Sequence, residues 1–146
     1  MLAHLTPPGR PPSLASPPMR AGLNWIAVAA GGAIGSVSRY AVEVWLSADT
    51  ATTVGAWPWA TFAVNLLGCL LIGVLIGRIA ANPRWEAWRP FLGIGVLGGF
   101  TTYSAFALES VQILDEGTWA LGLTYVAASI FGGLAAVAVG ERLART

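Results

Sequence analysis

The sequence predicts an all-α membrane protein of four transmembrane helices, the third of them broken near its middle. Three observations carry that expectation. Of the 146 residues, 55% are hydrophobic and only 10% are charged, whereas a soluble domain carries roughly a quarter charged residues. The apolar residues gather into four stretches, each near the roughly 20 residues a helix needs to cross a bilayer. All seven tryptophans, at positions 25, 45, 57, 59, 85, 88 and 119, fall at or near the ends of those stretches, where an interfacial aromatic belt belongs.

The same composition argues against several functions. Cys69 is the only cysteine and His4 the only histidine, so there is no internal disulfide and no zinc cluster. With its one histidine in the N-terminal tail, the chain has no buried Ser–His pair for intramembrane hydrolysis. The eight basic residues are all arginine and form no stripe suited to nucleic acid. An enzyme is not expected.

Taken in order, residues 1–18, "MLAHLTPPGRPPSLASPP", hold six of the nine prolines and no uninterrupted apolar core. They read as a disordered extension rather than a signal peptide, and Met19 is an equally good start. The four-helix transmembrane domain then covers 19–146. Its first helix is expected over about 23–46, the second over 59–79, the third over 90–114 and the fourth over 119–140. Short connections make neighbouring helices antiparallel. Gly31 and Gly35, Gly73 and Gly77, and Gly95 and Gly99 are spaced four apart, the pattern that lets membrane helices approach closely.

Polar groups inside apolar spans are costly and so are candidates for function. In the first helix Arg39 and Glu43 lie one turn apart, placed either to pair or to reach separately for the interface. In the second, Thr61 and Asn65 share a stripe. Asn65 serves either as a hydrogen-bonding link between helices or as an N–H donor to an anion. The third holds the densest set, "GVLGGFTTYSAF" at 95–106 followed by Glu109. Glycine costs about 1 kcal/mol relative to alanine inside a helix, so Gly98 and Gly99 just before Thr101, Thr102, Tyr103 and Ser104 predict a break. Broken helices at membrane depth bind ions, carbonyls facing cations and half-helix N-termini facing anions. In the fourth helix Tyr125 and Ser129 continue the one-turn spacing.

Orientation follows from arginine. Arg10, Arg20, Arg78, Arg84, Arg89, Arg142 and Arg145 cluster on one side, while the first and third loops carry only Asp49, Asp115 and Glu116. The positive-inside rule places both termini in the cytoplasm.

With these residues in view, the chain resembles the Fluc (CrcB-type) fluoride channels. "GGAIGSVSRY" in the first helix, "TFAVNLLGCLLIG" in the second and "GVLGGFTTYSAFALE" in the third are similar to the family's motifs, in order and at the right spacing. The resemblance implies passive, fluoride-selective export of cytoplasmic fluoride across the inner cell membrane. It implies an antiparallel, dual-topology homodimer with two pores along its interface and a structural sodium ion at its centre, held by the carbonyls of Gly98 and Thr101. It implies a pore lined by Asn65, Thr61, Thr102, Tyr103, Ser104, Phe106, Tyr125 and Ser129, with Arg39 and Glu109 as charged structural positions. Tyr103 stands where the family has phenylalanine, and Gly133 where some members have a further serine. The arginine bias opposes dual topology, so the expected partner is a second copy of the chain or an inverted paralogue. Rival readings are a small dual-topology multidrug exporter, which needs a carboxylate deeper than Glu43, and a membrane subunit that transports nothing.

Overall fold

The computed structural model describes residues 18–47 and 56–145. Apart from Pro18, the expected N-terminal extension lies outside the described residues, as does most of the first loop. Helix α1 is Pro18–Ser47, α2 is Trp59–Ala81, and a 3-10 segment Pro83–Trp88 follows. Helix α3 covers 89–100, π-helical over Arg89–Leu97 and α-helical over Gly98–Phe100. Helix α4 is Tyr103–Asp115 and α5 is Trp119–Arg145. Among the described residues there are no strands.

The ends follow from local chemistry. Asn82 turns extended after α2 (φ −147°, ψ 108°), its side chain accepting from the Arg84 N–H, and Pro83 cannot continue the preceding helix. Gly117 takes φ 76° in the tight connection between α4 and α5, a conformation that costs glycine little. Helix α5 continues five residues past the expected end at 140. An i,i+4 pair between Glu141 and Arg145 supports this polar last turn.

Three helical stretches are long and apolar enough to cross a membrane: Trp59–Ala81, Pro83–Asp115 and Trp119–Arg145. Helix α1 has the length, 30 residues or about 45 Å. Asn24, Ser36, Ser38, Arg39 and Glu43 dilute its apolar content, which sets it apart from the other three.

Packing pairs α1 with α3 and α2 with α5. Both crossings run through glycine. A Cβ on Gly35 would lie 2.0 Å from the Val96 carbonyl oxygen, and one on Gly99 2.5 Å from that of Gly32. On the other crossing, a Cβ on Gly73 would lie 2.2 Å from the Val137 oxygen and one on Gly77 2.5 Å from the Glu141 oxygen. Backbone therefore touches backbone where the four-residue glycine spacing anticipated it. The interior is small, holding Val64, Leu75, Phe100, Ile113, Tyr125 and Ala144. Trp25, Val37, Leu123 and Phe131 stand among many large apolar side chains left exposed, as lipid-facing surfaces require.

Candidate functional site

Two extended residues, Thr101 (φ −78°, ψ 155°) and Thr102 (φ −139°, ψ 117°), separate α3 from α4. In a continuous helix the Thr102 N–H would bond to the Gly98 carbonyl. Here it donates to Asn65 Oδ1 at 2.8 Å, while Asn65 Nδ2 donates to the Thr102 carbonyl at 2.9 Å. A single amide from α2 thus clasps both sides of Thr102. The Ala105 N–H, which would otherwise reach the Thr101 carbonyl, bonds instead to Thr102 Oγ1 at 3.2 Å and caps α4. Both diversions take from the Gly98 and Thr101 carbonyls the donors a continuous helix would give them. The Gly99 carbonyl accepts from Arg39 Nε at 3.3 Å, and Arg39 also pairs with Glu43 at 3.3 Å. The one-turn spacing of that pair had suggested the contact.

A second cluster surrounds Glu109. Its Oε1 accepts from the Thr61 hydroxyl at 2.6 Å and its Oε2 from the Tyr125 hydroxyl at 2.8 Å. Bonds to a carboxylate are the stronger kind, so α2, α4 and α5 are tied at one carboxyl group. Tyr125 is 0% exposed. Its ring lies 5.5 Å from Phe106, which lies 6.0 Å from Tyr103. On its other side it meets Trp57 edge-on at 5.4 Å.

The break opens onto a cavity of about 450 Å³. Asn65, Gly98, Thr101, Thr102, Tyr103, Phe106 and Ser129 line it, together with Gly68, Cys69, Ile72, Gly93, Leu97 and Ile130. No charged residue lies among them. The Ser129 hydroxyl is buried and has no hydrogen-bond partner among the described residues. A buried hydroxyl left unpaired is costly, and such a group needs an explanation. The remaining expected residues stand apart. Thr61 and Tyr125 turn their hydroxyls to Glu109, Ser104 is exposed and shares a 3.2 Å contact with Thr102 Oγ1, and Arg39 lies at the α1 crossing.

Sequence reasoning missed three participants. Gly68 makes room for Thr101, since a Cβ there would come within 2.2 Å of its methyl group. The family-like string around Asn65 contains this glycine, but nothing in it names the threonine. Cys69 was set aside as a lone thiol yet lines the cavity. Trp57 reads as one of seven belt tryptophans, whereas its indole N–H is buried without a partner among the described residues.

Comparison with known proteins bears on this arrangement. The model of the family described as "CrcB-like protein, Camphor Resistance (CrcB)" matches residues 26–141. A protein of Bordetella petrii named fluoride-specific ion channel FluC is 41% identical over 119 residues, covering 81% of this chain and 88% of that one. A protein of the same name from Chloroflexus aurantiacus is 43% identical over 123 residues, 84% of this chain and 95% of that one. A third, from Streptomyces coelicolor and named fluoride-specific ion channel FluC 1, is 40% identical over 144 residues, 94% of this chain and 91% of that one.

Proposed function

The chain belongs to the CrcB-like family, and from that premise we propose that it is a passive fluoride-selective channel rather than an enzyme. The observation that carries this from the residues is the uncharged cavity at the α3–α4 break, with the unpaired Ser129 hydroxyl on its wall. Fluoride is small and strongly hydrated, so it enters only where hydrogen-bond donors replace water. Ser129 offers an unused O–H. Asn65, which spends one amide proton on the Thr102 carbonyl, has a second. Phe106 and Tyr103 add ring edges, which carry partial positive charge. Neutral donors, with no charged side chain among them, bind the ion weakly enough for it to leave, as conduction requires.

The finer architecture is part of the same proposal. The cavity is open-sided, and a second copy of the chain, or an inverted paralogue, laid antiparallel against it closes the wall and makes two pathways. Sodium is a hard cation that takes oxygen ligands, as calcium and magnesium do. The carbonyls of Gly98 and Thr101, whose helical donors go to Asn65 and to the Thr102 hydroxyl, fit that donor set. Bound there, sodium supplies fixed positive charge and joins the two copies. The Glu109 cluster holds α2, α4 and α5 in register around the pathway, and Arg39 fixes α1 to the break through Gly99. The setting is a multi-pass protein of the inner cell membrane.

Fluoride efflux from proteoliposomes, measured beside chloride, tests the reading. Fluoride is expected to leave rapidly and chloride not at all, and Ser129→Ala is expected to slow the fluoride without unfolding the protein. Well-folded protein that passes no fluoride would sink the channel in favour of a membrane subunit without transport.

A further inference from the structure

We propose that a second cleft, between α2, the 83–88 turn and α3, holds an acidic phospholipid, with an acyl chain in its interior and the headgroup phosphate on Arg78. The proposal rests on the membrane-spanning part of the reading above and not on which ion is passed. The cleft encloses about 480 Å³ and is walled by Leu71, Val74, Leu92, Val96 and Trp85, with Arg78 as its one charged residue. That volume falls within the range of small-molecule sites. Leu71 and Arg78 are seven residues apart on α2, so the apolar wall runs about 10 Å from the helix interior to its charged end.

Charge selects the occupant. Residues 78–89 contain Arg78, Arg84 and Arg89 against Glu86 alone. Glu86 is engaged by Arg89 at 3.1 Å, which leaves Arg78 and Arg84 with no carboxylate among the described residues. Arg78 is exposed in the last turn of α2, and the half-buried Trp85 sits beside it at the level where an amphipathic ring meets headgroups. An apolar cleft ending in an uncompensated guanidinium suits a molecule with a hydrocarbon tail and an anionic head. Free phosphate would leave the leucine and valine walls bare. The cavity at the break draws on Asn65, Gly68 and Ile72, about a third of a turn around α2 from Leu71, Val74 and Arg78. Leu97 of α3 lines both, so the two hollows adjoin there while their α2 walls face different ways.

The test is native mass spectrometry of the purified full chain in detergent, with phosphatidylglycerol or phosphatidylcholine of identical acyl chains. Phosphatidylglycerol is expected to be retained about tenfold more, the scale of one charge-assisted phosphate contact. Arg78→Gln is expected to erase that preference and Arg142→Gln, at a helix end outside the cleft, to keep it. Leu92→Trp, which fills the cleft but leaves the charge, is expected to lose both lipids. Equal retention of the two lipids, an undiminished preference in Arg78→Gln, or displacement of phosphatidylglycerol by equimolar inorganic phosphate would each overturn the proposal. So would a disulfide between two copies through Leu92→Cys in a Cys69→Ser background, because a second chain would then occupy the cleft. Lipid retention is read without any ion flux, so it stands or falls separately from the channel reading.

Discussion

Glu109 receives two hydroxyl protons, from Thr61 and Tyr125, and this makes its chemistry separable by substitution. Glutamine keeps one oxygen, but its amide nitrogen donates and cannot accept, so Glu109→Gln leaves one hydroxyl proton without its acceptor. We expect a loss of about 1–3 kcal/mol for that buried group, read by denaturant unfolding in detergent. Tyr125→Phe removes the donor as well as the bond, and the double variant is expected to cost less than the sum of the singles. Additive losses would mean that the two groups do not interact. Asn65 divides in the same way. Asn65→Ala strands the Thr102 N–H and is expected to lower both stability and fluoride flux. Asn65→Asp keeps an acceptor for that N–H while placing a negative charge in the cavity, so it is expected to fold better than the alanine variant and conduct no better. At this scale the sequence was legible where partners are close in the chain. The four-residue spacing of Arg39 and Glu43 allowed a pair or two separate reaches for the interface, and the structure has the pair. The separations of 48 and 16 residues between Glu109 and its donors announced nothing, since only the packing of three helices brings those groups together.

Among the elements, the four expected apolar stretches overlap the observed helices, and two extended residues, Thr101 and Thr102, follow the Gly-Gly-Phe run. The π-helical winding of Arg89–Leu97 was not legible, because such winding leaves no composition of its own. The greater length of α1 and α5 was hidden by their polar ends, which hydropathy alone discounts. The two central glycines of α3 now have different expected behaviour. A Cβ on Gly99 meets the Gly32 carbonyl at 2.5 Å, whereas one on Gly98 finds nothing nearer than 3.9 Å. Gly99→Ala is expected to push α1 from α3 and destabilise the chain by about 1–3 kcal/mol. Gly98→Ala is expected to leave the single chain folded while impairing pairing with a second copy and fluoride flux. Thermal unfolding and dimer fraction by light scattering check both, and equal losses of stability would show that Gly98 too is held within the chain.

On the scale of the whole molecule, the described residues bury little and expose much. Leu123, Phe131, Leu134 and Leu143 of one helix are each 62–70% exposed, which lipid or another chain must cover. The arginine bias was plain in the sequence, but which surface faces lipid and which a second copy depends on shapes that no hydropathy profile contains. The cavity at the break is open on one side, and the interior of the described residues is small; on the proposed reading a second chain closes that side.

One lining residue gives that closure a chemical readout. Cys69 is the sole thiol of the chain and lies on the wall of the cavity at the break, so the native protein already carries a single-site label. If two chains pair over this cavity as proposed, a maleimide added to the unmodified protein is expected to react slowly with the paired form and faster once detergent dilution separates the chains; an unchanged rate would count against that pairing. The labelling rate then titrates assembly without any engineered reporter. A modified Cys69 should further block refitting of the second copy, turning a structural wall into a covalent plug.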